Sequence, residues 1–172
     1  MLHLACGPCT VRSWRADDLD ALVRHADNPA VARQLRDRFP SPYTRADAEA
    51  WLAIALSQQP EASFVIAVAD ELAGGIGLHL GQDIERVSAE VGYWLGEPFW
   101  GKGIATAALV GFSRHAFAAY GLTRIFAVPF AENHASRRVL EKAGFTFQCL
   151  LRKSAVKHGR VVDQALYDLV PG

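Results

Sequence analysis

The stretch Glu90–Thr106 reads EVGYWLGEPFWGKGIAT, and it changes its structural pattern twice. From Val87 to Leu95 every second residue is apolar, the period of two that is typical of a β-strand. Glycines and a proline interrupt this pattern, and an alanine-rich apolar segment then runs at helical spacing from Gly103 to Gly121. The sequence therefore predicts a strand, a glycine-rich turn and a long helix, one after another.

The turn between this strand and this helix has the chemistry of an anion site. A helix that begins at glycines presents unpaired N–H groups at the positive end of its dipole, and a backbone without side chains lets a phosphate group approach closely. The spacing Gly96-x-x-x-x-Gly101-Lys102 also matches most of the P-loop pattern of nucleotide hydrolases. A P-loop requires Ser or Thr next, to bind Mg²⁺, and Gly103 stands there instead. The turn is predicted to bind phosphate, with a degenerate P-loop as the less favoured interpretation.

Composition and charge narrow the class of protein. The 172 residues predict one domain, and 51% hydrophobic with 21% charged residues is typical of a globular protein with a substantial core. Acidic and basic residues balance at 18 each, so no overall field attracts nucleic acid or an anionic membrane. The apolar runs fall short of the roughly 20 residues that span a bilayer, and the start of the chain does not resemble a secretory signal. A cytoplasmic protein without nucleic-acid or membrane partners is expected.

Two of the three cysteines form the sequence Cys6-Gly-Pro-Cys9, which spells a thioredoxin-type redox motif. In that setting the motif follows a strand and opens a helix, but only five residues precede Cys6, and Thr10–Trp14 has strand character. The six histidines show no ligand-like spacing with the distant Cys149, which argues against a zinc site. We therefore predict no redox or metal site, and a flexible segment over residues 1–9.

The rest of the chain is predicted to contribute helices and strands in a defined order. Helices are expected from Asp17 to Ala26, after the capping pair Asn28-Pro29, and after Thr44, with Asp47 completing a capping box. Runs of β-forming residues predict a hairpin of strands over 63–69 and 72–80, and a further strand over 123–129. A helix is predicted over 133–143. Two last strands are predicted over 145–156 and 160–170, joined at His158-Gly159.

This order of elements, together with two motifs, resembles the GNAT acetyltransferases. The central stretch YWLGEPFWGKGIAT and the segment Asn133–Phe145, NHASRRVLEKAGF, are similar to the RimJ/RimL-like branch, as is the opening RSWRADDLDAL. The resemblance covers about Thr10 to the end of the chain and implies a GNAT domain over residues 10–172. It implies a single-domain α/β (α+β) fold whose mixed, mostly antiparallel sheet of about seven strands is flanked by helices and splayed at the central strand.

The resemblance assigns acetyl-CoA to the glycine-rich turn. It implies that the pyrophosphate meets backbone amides of the turn, with a hydroxyl from Thr106 and a charge from Lys102; a solvated surface lysine is the open alternative for Lys102. Main-chain groups of Trp94 and Leu95 are implied to pair with the pantetheine amides. The implied cofactor-binding residues are Trp94, Leu95, Trp100, Gly101, Lys102, Gly103, Ile104, Ala105, Thr106, Asn133, Ser136, Arg138 and Lys142.

The second motif and the central strand supply the implied catalytic residues. By resemblance, Asn133 contacts pantetheine and Ser136 lies near the thioester sulfur, where it protonates the leaving thiolate; a helix N-cap alone would also explain Asn133. The attacking amine must lose a proton, and Glu90 is the only carboxylate on the central strand, so it is the candidate general base. A purely structural ion pair is the alternative for Glu90. Asp163 and Tyr167 of the last hairpin are expected to face the acceptor.

The activity implied by the resemblance is transfer of the acetyl group of acetyl-CoA to a primary amine, by direct attack in a ternary complex and without a metal. The implied acceptor is a protein N-terminal amine or a small-molecule amine, and a homodimer is left open. A binding-only domain that senses acetyl-CoA without turnover is the alternative from a different class. Release of CoA in the presence of an amine distinguishes the two.

Overall fold

The computed structural model describes all 172 residues, which form one mixed sheet flanked by helices. Its strands are β1 His3–Ala5, β2 Thr10–Arg12, β3 Ser63–Val68, β4 Glu71–Leu80, β5 Ser88–Leu95, β6 Arg124–Ala127, β7 Thr146–Lys157 and β8 Arg160–Leu169. The α-helices are α1 Leu19–Ala26, α2 Pro29–Ala32, α3 Arg45–Ser57, α4 Ile104–Tyr120 and α5 His134–Lys142. None of these helices combines the length and the apolarity that crossing a membrane requires.

The sheet runs in the order β1-β2-β3-β4-β5-β6-β8-β7, and every neighbouring pair except β5 and β6 is antiparallel. β5 and β6 pair in parallel only from Ser88 to Glu90, opposite Arg124 to Phe126, and then separate. The prediction of a mixed, mostly antiparallel sheet that is splayed at its central strand is confirmed. The sheet has eight strands rather than about seven, because residues before Thr10 add a short edge strand.

Local sequence determines where the helices begin and end. The Thr44 hydroxyl accepts from Asp47 N–H at 3.2 Å, and the Asp47 carboxylate accepts from Thr44 N–H at 2.8 Å, the reciprocal capping box predicted ahead of α3. Asn28 caps α2, because its side-chain oxygen accepts from Ala30 N–H at 2.8 Å. Gly121 ends α4 with φ +63°, the left-handed conformation that terminates many helices.

Apolar side chains fill both faces of the sheet. Along β3, Phe64 and Ile66 belong to the core that includes α4, while Val65 and Ala67 belong to the core that includes α1 and α3. β3 is therefore buried on both faces, which explains why its sequence, SFVIAV, is almost continuously apolar rather than alternating. The core that includes α4 also contains buried residues of β5 and β6, among them Val91 and Ala127.

The predicted flexible segment of residues 1–9 is instead part of the sheet. β1 pairs with β2, and Leu2 N–H donates to the Ser13 hydroxyl at 2.7 Å. The turn between these strands carries Cys6 and Cys9, whose side chains are buried in the core beside α4. A strand of three residues is too short to show a period in the sequence, so the segment had no signal that would separate it from a loop.

The two buried thiols are expected to be unreactive in the folded protein. Burial raises the pKa of Cys6, and it raises the pKa of Cys9 to about 11, so little thiolate is present at neutral pH. Cys149 is exposed. We expect an alkylating reagent at neutral pH to modify Cys149 first, and Cys6 and Cys9 only after unfolding, as measured by mass spectrometry of the peptides. Rapid modification of either buried cysteine in the folded protein would contradict this expectation.

A buried ion pair gives the opening motif RSWRADD a structural role. The Arg12 guanidinium donates to both oxygens of the Asp18 carboxylate, at 2.9 and 2.6 Å, and both side chains are almost completely buried. Asp18 also accepts from Arg15 N–H at 2.8 Å. Several charge-assisted hydrogen bonds thus compensate for removing the two charges from water. The contact joins β2 to the start of α1 and lies outside the cavity at β5 and β6.

Candidate active site

The separation of β5 and β6 opens a cavity of about 700 Å³ between the two strands. The second half of β5, the turn before α4, the start of α5 and residues 30–36 line this cavity. Its charged lining residues are Arg33, Arg36, Glu90, Arg138 and Lys142. An apolar cleft with a few converging polar groups is typical of a small-molecule site. The strand separation that characterises the fold is therefore also what creates the candidate site.

Main-chain groups of β5 face the cavity where β6 has separated from it. Just after β5, Gly96 N–H donates to Ala73 O at 2.8 Å. Because hydrogen-bonded pairs recur at every second residue, the main-chain groups of the even-numbered residues of β5 bond to β4. Successive residues of a strand direct their main-chain groups to opposite edges. The groups that face the gap therefore belong to Val91, Tyr93 and Leu95. An extended ligand with amide groups, such as pantetheine, would find a free strand edge here.

This alternation separates the roles of Trp94 and Leu95. Leu95 directs its main chain toward the gap, where its carbonyl oxygen accepts from the Trp100 indole N–H at 2.8 Å. Trp94 directs its main chain to β4, while its ring packs against Phe39 with centroids 5.5 Å apart and lines the cavity. The expectation of main-chain pairing at Trp94 is therefore corrected: Tyr93 provides the free main-chain groups, and Trp94 provides a side chain.

The turn before α4 is shaped for an anion. Gly101 and Gly103 have φ of +71° and +75°, and nothing lies within 4 Å of the position where a Cβ would stand on either residue. The first hydrogen bond of α4 runs from Ala107 N–H to Gly103 O at 3.0 Å. The preceding N–H groups, those of Ile104, Ala105 and Thr106, thus have no helical acceptor and lie at the positive end of the helix dipole. Unpaired donors and open space therefore coincide where the sequence predicts a pyrophosphate.

Lys102 does not take part in this arrangement. Its ammonium group donates to Pro98 O at 2.8 Å, and its side chain lies outside the cavity that Trp100, Gly101 and Gly103 line. A surface lysine describes this side chain better than a phosphate contact does. In a P-loop the lysine reaches the phosphates, so the position of Lys102 also removes support from the nucleotide-hydrolase interpretation.

Helix α5 places polar residues along one wall of the cavity. The Asn133 side-chain oxygen accepts from Ser136 N–H at 3.1 Å, so Asn133 is the predicted N-cap, and it lines the cavity as well. Arg138 and Lys142 also line the cavity, as their spacing of about one helical turn predicts. Two cations on the wall beside the turn are suited to the phosphate groups of CoA.

Arg137, Asp163 and Tyr167 lie outside the cavity, and Gln164 is the residue of the last hairpin that lines it. The Arg137 guanidinium donates to the Tyr167 hydroxyl at 3.0 Å. Tyr167 is fully buried, and its hydroxyl donates to the Glu141 carboxylate at 2.9 Å. Asp163 accepts from Lys153 N–H at 2.7 Å within the β7–β8 hairpin. The expectation that Asp163 and Tyr167 face the acceptor is therefore wrong, because these side chains bond within the hairpin and to α5 instead.

The Ser136 side chain contacts Tyr93, a residue for which the sequence predicts no role in the site. The Ser136 hydroxyl lies 2.9 Å from the Tyr93 hydroxyl, and the single proton of that phenol has Ser136 Oγ and Ser136 O, the latter at 3.2 Å, as alternative acceptors. A tyrosine keeps its proton at neutral pH, and burial, which raises the pKa of Tyr93 to about 12, keeps this phenol protonated in alkaline solution as well. Both residues line the cavity. The pair is chemically suited to supply a proton at this wall.

We expect Ser136→Ala and Tyr93→Phe to have modest and overlapping effects on turnover. A thiolate leaves readily because its parent thiol has a pKa of about 8.5, so losing the serine proton should lower kcat by roughly tenfold or less. If the two hydroxyls act as a pair, the double variant should be about as slow as the slower single variant. Steady-state kinetics at saturating acetyl-CoA measures this. Effects that multiply in the double variant would contradict a shared role.

Glu90 faces the cavity from the opposite side of β5. Its side chain is 23% exposed, and its carboxylate is paired with the guanidinium of Arg36, which is 60% exposed. Gly92 follows on the same face of the strand, and nothing lies within 4 Å of where its Cβ would stand. The carboxylate thus has open space beside it and also an ion-pair partner. The cavity brings together Glu90 and Ser136, as the sequence predicts, but it adds Arg36 and Tyr93.

Comparison with known proteins agrees with this geometry. The family model of the acetyltransferase (GNAT) domain matches residues 9–146. The chain belongs to the GNAT acetyltransferase family. The family predicted from the two motifs is thereby confirmed, together with the class of acetyl-CoA-dependent N-acetyltransferases. The match does not favour the P-loop or the binding-only alternative.

Individual relatives of this GNAT chain include bacterial N-acetyltransferases. The p20 protein of Bacillus licheniformis, an uncharacterised N-acetyltransferase, is 29% identical over 94% of this chain and 92% of its own length. A ribosomal-protein-serine acetyltransferase of Escherichia coli (strain K12) is 31% identical, over 60% of this chain and 58% of that protein. The structure of Mycobacterium smegmatis RimJ in complex with CoA-disulfide has a TM-score of 0.83 at 29% identity, covering 98% of this chain and 86% of RimJ. The RimJ/RimL-like resemblance is confirmed.

Proposed function

We propose that this GNAT enzyme acetylates the N-terminal α-amine of a protein, which binds on the Glu90 side of the cavity. The observation that carries the proposal is that Glu90 and the Tyr93–Ser136 pair line one cavity from opposite sides of β5. One side offers a base to the amine, and the other offers an acid to the thioester sulfur. Acetyl-CoA is the acyl donor, and its pyrophosphate is assigned to the unpaired N–H groups that open α4.

The proposed reaction is a single transfer. The unprotonated amine nitrogen bonds to the acetyl carbonyl carbon, the carbon–sulfur bond breaks, and CoA leaves as a thiolate. The proton released by the nitrogen passes to the Glu90 carboxylate, directly or through water. Ser136, supported by Tyr93, donates a proton to the thiolate and is reprotonated from solvent. Because one cavity holds both substrates, much of the entropic barrier is removed, and no covalent acetyl-enzyme is needed.

A protein acceptor is supported by a relative and by the exposed side of the cavity. The E. coli relative is named for acetylation of serine in a ribosomal protein. In this chain, Arg33 and Arg36 line the cavity and are exposed to solvent, and Arg36 contacts Glu90, so the cavity opens to solvent on the side where a chain would continue beyond the amine. An acceptor among newly made proteins would also agree with the predicted cytoplasmic location.

The test is a screen of amines with release of CoA as the readout and mass spectrometry of the products. The screen contains three classes of acceptor. The first is short peptides with an internal lysine and a free N-terminus, the second is the same peptides with the N-terminus blocked, and the third is small amines such as polyamines. We expect acetylation at the free α-amine only. Transfer to small amines alone would overturn the proposed acceptor. Acetyl-CoA that binds but transfers to no amine would overturn the enzyme itself in favour of a binding domain.

A further inference from the structure

The acceptor side of the cavity carries more positive charge than an amine substrate requires. An amine is a cation before it loses its proton, so carboxylates would attract it, yet Glu90 is the only carboxylate among the lining residues. Arg36 already pairs with this carboxylate. Arg33 is exposed at the same cavity and belongs to none of the ion pairs of the chain. Arg33 is therefore available to an anionic group of a ligand at this cavity.

This surplus is separate from the cations that suit the cofactor. Arg138 and Lys142 lie on α5, the wall that meets the Tyr93 side of β5 through Ser136. Arg36 instead contacts Glu90, whose side chain points to the opposite face of the strand. Arg33 lies in the turn that directly follows α2, three residues before Arg36, and both residues line the cavity. The two arginines therefore share the wall on which the amine is proposed to bind.

We infer that the acceptor carries a carboxylate within about two residues of its reactive amine, and that Arg36 and Arg33 bind it; this inference rests on the proposed function. Because Arg36 touches Glu90, an amine placed at Glu90 has its own neighbouring groups within reach of the guanidinium, at roughly 3.4 Å per residue of extended chain. Arginine is suited to this contact because its planar fork matches a carboxylate. The acceptor class is an acidic N-terminal segment.

Binding of the acceptor carboxylate to Arg36 would also free Glu90, the proposed general base, from its ion pair with Arg36. In the free protein Arg36 pairs with Glu90, but the guanidinium is 60% exposed, so water screens the pair and little is lost when it exchanges partner. The neighbouring Asp37 carboxylate accepts from Lys157 Nζ at 2.9 Å, which joins this segment to the last hairpin. The Arg36 side chain is exposed and belongs to no other ion pair, so it can turn from Glu90 to a carboxylate of the acceptor. An acidic acceptor that engages Arg36 leaves the Glu90 carboxylate free to take the amine proton.

The experiment compares two peptide amides that differ only by Glu or Gln at the second position. With the wild-type enzyme we expect kcat/KM to be about five- to tenfold higher for the Glu peptide, and this ratio should shrink as salt is added. Arg36→Gln should lower the ratio to about one, and Arg33→Gln should lower it in part. Arg45→Gln is the matched control: Arg45 is 61% exposed and pairs with Asp20 at 2.8 Å, but it lies outside the cavity. This variant should keep the wild-type ratio.

A further pair of acceptors, free serine and serine amide, distinguishes a peptide carboxylate from that of a free amino acid. Preference for free serine without a preference between the peptides would overturn the acidic peptide as the acceptor. Equal kcat/KM for both peptides and for both serine compounds would overturn the inference and leave the proposed function intact. Transfer to no peptide would instead overturn the proposed function. If Arg33→Gln raises KM for acetyl-CoA and not for the peptide, Arg33 belongs to the cofactor site, and its acceptor role is overturned.

Discussion

Gly103→Val is expected to weaken the binding of acetyl-CoA at least about tenfold, or about 1.4 kcal/mol. Gly103 stands directly before α4 with φ +75°, and no atom lies within 4 Å of where its Cβ would be. The valine side chain would therefore occupy the open space through which a phosphate group reaches the first N–H groups of the helix. Isothermal titration calorimetry with acetyl-CoA measures the loss directly.

A left-handed φ strains valine wherever it occurs, so a second variant must separate strain from lost phosphate access. Gly121 provides this control, because it ends the same helix with φ +63° and also has open space at the Cβ position. Gly121→Val is expected to cost a similar stability, about 1–2 kcal/mol, and to leave acetyl-CoA affinity unchanged. If Gly103→Val also folds and binds acetyl-CoA as the wild type does, the pyrophosphate does not lie at this turn.

The parts of the fold that could be predicted are those with a local signal. The alternation over Val87–Leu95, the glycines that bound α4, and the Thr44–Asp47 capping box are each contained within one element. β1 has no such signal, because its three residues are too few to show a period and its place depends on pairing with β2. Short edge strands of this kind are determined by tertiary contacts rather than by their own residues.

The parts of the candidate site that could not be predicted are contacts between distant positions. Arg36 reaches Glu90 across 54 residues, and Tyr93 reaches Ser136 across 43 residues. In the alternation of the central strand, Tyr93 falls among the apolar residues, which indicates packing and gives no sign of its hydroxyl contact. Lys102 illustrates the converse: its motif position suggests a phosphate contact, but a long flexible side chain can turn elsewhere.

Glu90→Gln is expected to lower kcat by about 100-fold or more near neutral pH, because glutamine keeps the size of the side chain but cannot accept a proton. Acetyl-CoA affinity should be unchanged, since the pyrophosphate and pantetheine contacts proposed above do not involve Glu90. An α-amine has a pKa of about 8, so raising the pH supplies more unprotonated acceptor. The rate of the variant relative to the wild type should therefore recover in part with rising pH, whereas Ser136→Ala, which lacks the acid rather than the base, should keep a constant ratio to the wild type.

Glu90→Gln removes both the proposed base and the ion pair with Arg36, so a control must show that loss of an ion pair alone does not lower kcat. Glu71 allows this, because its carboxylate also accepts from an arginine, Arg24, at 2.7 Å, but lies outside the cavity. Glu71→Gln removes the carboxylate that pairs with Arg24 and that also contacts His25 Nε2 at 3.3 Å, and it should leave kcat near the wild-type value. If Glu90→Gln turns over an identified acceptor at the wild-type rate across the pH range, Glu90 is a structural partner of Arg36. Catalysis would then depend on positioning of the two substrates and on water as the proton acceptor.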